Sequence, residues 1–280
     1  MQQQYYSPSP EKNYKQAGIV IVPVPYDETS TWIKGADKGP ESLLEASAKM
    51  ELYDIETGRE VYEKGIYTDS PVTEKASPEK MVEAVRKRVA DHIKNQKFTI
   101  VIGGEHSVSI GAIQAQVTGK DISILHLDAH SDFRDEYFGS KYNHGCVMAR
   151  AKEVCNNIVQ VGIRSMGKEE MPNIKKDNVF FAHNLQKDWI EKVVSKLSKK
   201  VYLTIDLDVF DPSIMPATGT PEPGGLLWYD VLKLLKAVIK EKVLIGFFLV
   251  ELCPNPNYKA ADFLAALLVY KVLSYKFLKN

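Results

Sequence analysis

Two segments of this chain concentrate residue types that bind cations: Asp128-Ala129-His130-Ser131-Asp132 and Asp206-Leu207-Asp208. Each follows an apolar run, Ile122 to Leu127 and Val201 to Ile205, that reads as a buried β-strand. In extended chain, every second side chain shares a face, so Asp128, His130 and Asp132 point one way, as do Asp206 and Asp208. Carboxylates converging without compensation repel one another and lose hydration, which drives some to neutralise. A divalent cation keeps them ionised. The pattern therefore points to metal chemistry.

A third segment supplies another imidazole. The run Phe98 to Ile102 ends in Gly103-Gly104-Glu105-His106-Ser107, whose paired glycines permit a tight turn and a close backbone approach. Together, His106, Asp128, His130, Asp132, Asp206 and Asp208 exceed the needs of one ion but suit two ions with shared carboxylates. The set is hard, rich in oxygen and free of thiolate. It favours Mn²⁺ over structural zinc and admits Mg²⁺, Co²⁺ or Fe²⁺.

The elements that must position these groups alternate along the chain. Candidate strands are Gly18 to Val22, Gly65 to Tyr67, Phe98 to Ile102, Ile122 to Leu127, Ile158 to Ile163, Val179 to Ala182, Val201 to Ile205 and Val243 to Val250. Helical patterns lie between them. The clearest begins at Ser77-Pro78, a cap followed by proline in the first turn, and carries Met81, Val82, Val85, Val89 and Ile93 on one stripe. Another begins near Trp228 and repeats Val231, Leu234, Leu235 and Val238. Strands alternating with helices imply a mostly parallel sheet covered on both faces, with ligands bound beyond the carboxyl ends of its strands. The metal candidates and Glu251 all fall there.

Composition bounds the partners. With 280 residues, 44% hydrophobic and 26% charged, residues 17–280 read as one α/β domain behind a polar arm over residues 1–16. Lys plus Arg equals Asp plus Glu at 36 each, and no basic block suggests nucleic acid or an anionic membrane. Cys146, Cys155 and Cys253 form no CxxC pair, and no leader-like or spanning apolar run is present. The expectation is a cytoplasmic enzyme.

At these motifs the sequence resembles the ureohydrolase family of arginases and agmatinases. The matching segments are residues 103–107, 128–132 and 204–212, continuing into Ala217 to Gly225, with a further match at residues 25–31 and 35–40. They cover residues from about 18 to 275 in the family's order. The resemblance implies a three-layer α/β/α sandwich on an eight-stranded sheet and two Mn²⁺ ions. It assigns His106, Asp128, Asp132 and Asp206 to one ion and Asp128, His130, Asp206 and Asp208 to the other, with Asp128 and Asp206 bridging. It also implies a homo-oligomer, trimer or hexamer.

The same resemblance suggests roles nearby. Two ions about 3.5–4 Å apart acidify a water held between them, which then attacks a guanidinium carbon. Asp132 and His144 are candidate proton carriers, and the sequence does not rank them. Glu251 would pair with the substrate guanidinium, and charge counting over ions, aspartates and Glu251 favours a cationic substrate. Two departures stand out. Phe248 occupies a position where relatives often have Asp, and Glu105 replaces the Asp of the usual Gly-Gly-Asp-His motif, with little effect expected. His126 shares the ligands' parity and reads as a core or supporting histidine, while His92 and His183 read as packing or surface residues.

Arg134 stands where arginases carry an Asn that grips the amino-acid end, which argues against arginase. The loop Arg134-Asp135-Glu136-Tyr137 resembles agmatinases, whose substrate lacks a carboxylate, and Asp135 or Glu136 could meet a distal ammonium. The leading expectation is agmatine hydrolysis to putrescine and urea. Aminopropylagmatine fits the same logic with a longer pocket. Arg134 as a carboxylate anchor would instead suit guanidinobutyrate or formiminoglutamate. A deacetylase or a non-catalytic regulatory relative stays open, though six ligands argue against both.

Overall fold

Successive residues of a strand face opposite sides of its sheet, and here both sides are apolar. The computed structural model describes residue 5 and residues 13–277. Eight strands form one sheet: β1 (Ile19–Val24), β2 (Ile66–Thr68), β3 (Phe98–Gly103), β4 (Ser123–Leu127), β5 (Ile158–Ile163), β6 (Val179–Phe181), β7 (Lys200–Asp206) and β8 (Val243–Val250). Their order is β2-β1-β3-β8-β7-β4-β5-β6, and every pairing is parallel. The expected mostly parallel sheet is thus wholly parallel.

Among the described residues, seven α-helices cover it: α1 (Gly39–Ser47), α2 (Pro78–Lys94), α3 (Ser109–Val117), α4 (Val147–Lys152), α5 (Trp189–Lys196), α6 (Trp228–Glu241) and α7 (Ala260–Lys276). Val20, Val22, Val101, Ile124, Tyr202 and Phe248 feed one face, packed with apolar residues of α2, α3 and α4. Ile19, Ile21, Ile100, Leu125, Leu203 and Phe247 feed the other, packed with α1, α5, α6 and α7. Each fully buried Val, Ile or Leu contributes about 1.5–3 kcal/mol, so the alternation fixes each strand's register firmly. Ser77 caps α2 by accepting from Lys80 N–H, as its sequence anticipates.

Most of the expected arm over residues 1–16 lies outside the described residues. Within it, Tyr5 is a correction. Its ring is fully buried, its N–H donates to Thr68 Oγ1 and its hydroxyl donates to the Ala266 carbonyl, so it belongs to the core. Among the described residues, no helix is long and apolar enough to cross a membrane.

Strand order decides the site. β3, β8, β7 and β4 are consecutive neighbours, so the segments leaving their carboxyl ends meet above the centre of the sheet.

Candidate active site

Each central strand delivers one piece. His106 follows β3, Glu251 follows β8, Asp206 ends β7 with Asp208 in the turn beyond, and Asp128 to Asp132 follow β4. Close approach of the β3 turn needs Gly104, where a Cβ would lie 2.1 Å from the Tyr26 carbonyl oxygen. Asp132 and Glu251 both adopt left-handed backbone, with φ of 56° and 66°. For non-glycine residues this is a strained conformation, held by surrounding structure. The Asp132 carbonyl accepts from Met148 and Ala149 N–H at the start of α4, and Glu251 N–H donates to the Gly104 carbonyl.

The six predicted ligands converge. His106 Nδ1 lies 3.1 Å from Asp128 Oδ2, 2.9 Å from Asp132 Oδ2 and 3.4 Å from Asp206 Oδ2. His130 Nδ1 lies 2.8 Å from Asp208 Oδ2 and 3.6 Å from Asp128 Oδ1. Asp128 belongs to both groups, which is the geometry a bridging carboxylate requires. His106 Nε2 meets Thr204 Oγ1 at 3.3 Å, while buried Nδ1 makes no aligned hydrogen bond among the three carboxylates. An imidazole held through one nitrogen, with the other facing only acids, is the arrangement metal-ligating histidines show.

The electrostatics agree. Burial, with Asp208, Asp128 and Glu251 nearby, raises Asp206 well above the ordinary carboxylate range. Burial and Asp128 raise Asp132 as well. Burial disfavours a charged His106, yet Asp128 and Asp132 outweigh it and raise His106 to about 10. Negative charge is in excess here. Bound cations would take the role of those protons, so the residues present fit a pair of divalent ions.

A cavity of about 230 Å³ opens over this cluster. Glu251 Oε1 accepts from His106 N–H at 2.7 Å. Glu251 Oε2 lies 3.4 Å from where a Gly219 Cβ would stand, so the glycine leaves room over that oxygen. His144 lines the cavity, with Nε2 buried and unpartnered. Burial, then His130 and His106, lowers His144 to about 4, which leaves it neutral at neutral pH.

Some sequence-derived assignments do not reach the cavity. Asp135 pairs instead with Arg150 at 2.5 Å and Lys141 at 3.4 Å, and exposed Glu136 does not line the cavity either. The loop turns them toward solvent and toward α4. Arg134 does line it, but its guanidinium is engaged by Glu169 at 3.1 Å and Glu170 at 3.3 Å, over the Tyr137 ring at 4.6 Å. Phe248 packs its ring edge-on to His106 at 5.7 Å, an apolar wall beside the imidazole.

Glu105 is more involved than its sequence suggests. It is fully buried, it accepts from Thr29 Oγ1 at 2.5 Å and from Ser107, and Thr29 in turn accepts from His144 N–H at 3.0 Å. Sequence reasoning missed Thr29, Glu170 and Arg164. Glu170 accepts from Ser131, Phe133 N–H and Gly167 N–H, and lines the cavity. Arg164 donates to the carbonyls of Asp208 at 2.6 Å and Glu222 at 2.9 Å, tying the ligand turn to the following loop. An isolated Arg or Glu carries no periodic signal.

An acid-rich cluster able to hold cations at the carboxyl end of an all-parallel sheet points to a class, the metal-dependent hydrolases of this architecture. Residues 17–274 match the arginase family model. N(1)-aminopropylagmatine ureohydrolase of Synechocystis is 37% identical over 276 residues, covering 94% of this chain and 90% of that protein. Agmatinase of Pyrococcus horikoshii is 30% identical, covering 94% of each. The crystal structure of agmatine ureohydrolase of Thermoplasma volcanium superposes with a TM-score of 0.91 at 31% identity, over 99% of this chain and 95% of that one. The chain belongs to the arginase family, and it is a ureohydrolase acting on guanidino substrates.

Proposed function

We propose that this enzyme hydrolyses a carboxylate-free alkylguanidine, N1-aminopropylagmatine foremost and agmatine second, to urea and the corresponding amine, using two Mn²⁺ ions. The observation that carries the reading is the pair of donor groups sharing Asp128, with Glu251 beside them. The bound ions would supply a water acidified toward neutral pH as the attacking group.

The chain's own residues do the rest. Glu251 Oε1 is fixed by the His106 N–H, leaving Oε2 to accept from the guanidinium and present its carbon to the cluster. Cleavage requires one proton on the departing alkyl nitrogen. Asp132 and the unpartnered Nε2 of His144 both line the cavity and can carry it. Arg134, already paired with Glu169 and Glu170, is a poor anchor for a substrate carboxylate. The names of the relatives at 37% and 30% identity support aminopropylagmatine ahead of agmatine.

Urea release from N1-aminopropylagmatine, agmatine, arginine and guanidinobutyrate tests the substrate, with rates expected in that descending order for the first two and near zero for the others. Fastest turnover of arginine or guanidinobutyrate would overturn it. Metal analysis tests the ions: two Mn²⁺ per chain are expected, and a single Zn²⁺ would point to deacetylase-like chemistry instead.

A further inference from the structure

Behind the ligands lies a buried polar row that the reaction does not touch. His126 on β4 and Gln160 on β5 are direct register partners, so their side chains share a face. Both are buried, at 0% and 1% exposure. Gln160 Nε2 lies 2.9 Å from the Ser131 carbonyl oxygen and 2.9 Å from His126 Nδ1, and His126 Nε2 lies 2.8 Å from Asp128 Oδ2.

Hydrogen-bond polarity settles the direction of this row. The Ser131 carbonyl can only accept, so the amide must turn its NH₂ group toward it. The second N–H of that group then faces His126 Nδ1, which must carry a lone pair. The imidazole proton is therefore on Nε2, where it donates to Asp128. Reversing the amide would set Gln160 Oε1 against the Ser131 oxygen. Gln160 Oε1 itself is buried without a partner, so the orientation is held despite that cost. Both nitrogens of His126 are thus committed within the protein. This separates it from His106, whose buried Nδ1 makes no aligned hydrogen bond, although His126 falls in the same cluster of possible donors.

We infer that Gln160 is a positioning residue for metal uptake: it fixes the Nε2–H tautomer of His126, and that single donor aims and holds the shared carboxylate Asp128 between the two ion sites. The inference rests on the two-metal reading of the site. Losing a supporting hydrogen bond to a ligand characteristically weakens metal affinity by about 10–100-fold.

The test uses Mn²⁺ alone as probe, with calorimetric titration of full-length protein and long-range ¹H–¹⁵N spectra of the His126 ring. Metal-free wild type should show the Nε2–H tautomer. Gln160→Met, of similar length but without an amide, should lose about 10–100-fold in Mn²⁺ affinity. At saturating Mn²⁺ its KM should be unchanged. His126→Gln, which keeps a donor toward Asp128, should bind Mn²⁺ within a few-fold of wild type, while His126→Phe should not. An Nδ1–H ring in wild type, which needs no variant to fold, would overturn the inference. Wild-type affinity in Gln160→Met would do the same while leaving the two-metal reading intact. Wild type that takes up no Mn²⁺ would instead sink the two-metal reading itself, and this role with it.

Discussion

Above the centre of the sheet, Asp128, Asp132, Asp206, Asp208 and Glu251 crowd together, and the ion pairs the aspartates make are with imidazoles. Against α7, Asp54 and Glu56 are arranged otherwise. Lys271 Nζ lies 2.9 Å from Asp54 Oδ2 and 2.7 Å from Glu56 Oε2, and Lys236 and the Tyr275 hydroxyl close on Glu56 at 2.7 Å and 2.5 Å. Burial opposes charge on Glu56, yet hydrogen bonds from Lys236, Lys271 and Tyr275 outweigh it and lower its pKa to about 2. Asp206 and Glu251 move the other way, raised first by burial and then by neighbouring acids. The chain supplies its own cations where charge serves structure. Around the central acids, the basic side chains within ion-pair distance among the described residues are imidazoles, and that asymmetry marks the candidate functional end of the molecule.

The largest effect should come from removing the shared ligand. Asp128→Asn should cut kcat/KM by about 10³-fold or more, because it disables both ion sites at once. Mn²⁺ titration should show both sites weakened, whereas Asp208→Asn should weaken mainly one. Equal loss at both sites in the two variants would refute the sharing. Chelation of wild type should also lower Tm, since each site loses about 2.7 kcal/mol relative to ion held at 100 times its Kd.

Stability should separate the two clusters by sign. Lys271→Met removes the cation paired with Asp54 and one of Glu56's three side-chain partners, and should destabilise by about 3 kcal/mol in urea melts while leaving the Mn²⁺ stoichiometry unchanged. Asp206→Asn, measured without metal, should instead raise Tm, since burial and acidic neighbours hold the Asp206 carboxyl well above its ordinary pKa, so folding at neutral pH works against its ionised form. A fall in Tm would mean that the acids of the site are balanced internally after all.

A smaller, pH-dependent difference follows from Glu56. Its folded pKa is about 2 and its ordinary value 4.5, so its contribution is present above pH 4.5 and lost as pH falls toward 2. Glu56 is about a third exposed, and solvent screening limits the effect of Glu56→Gln to about 1 kcal/mol at neutral pH. That deficit should shrink on acidification through the window; a deficit constant from pH 6 to pH 3 would exclude the ion-pair origin.

The clustering of the candidate ligands was legible because their spacing is strand spacing: alternation places Asp128, His130 and Asp132 together, and the switch from apolar run to acid marks the strand end. The parallel sheet followed from alternating elements, and α2 from its cap and stripe. Helix α7 was less legible, since residues on all sides of it are buried and no polar face gives a period. Tyr5 gave no signal because a lone aromatic among polar residues joins the core only through contacts with Thr68 and Ala266, far away in sequence. Glu105 and Gln160 were hidden for a related reason, as their partners lie on other strands or loops.

The smallest expected effect concerns the loop after Asp132, where sequence alone pointed to Asp135 and Glu136 as partners for a distal ammonium. Asp135 hydrogen-bonds to Arg150 on the flank of α4, and Glu136 is exposed. Asp135→Asn and Glu136→Gln should therefore change the KM for agmatine or N1-aminopropylagmatine by less than about twofold, since exposed charges outside the cavity are screened by water and salt. Glu170 is the acid of this region that lines the cavity, and it already accepts from Phe133 and Gly167 N–H while facing Arg134 at 3.3 Å. Glu170→Gln should raise KM for the cationic substrates more than either loop variant, by freeing the Arg134 charge into the cavity. If Asp135→Asn raised KM more than Glu170→Gln, the loop would have to close over the substrate in a conformation that breaks the Asp135–Arg150 pair. Arg150→Met should then mimic the closed loop and lower KM.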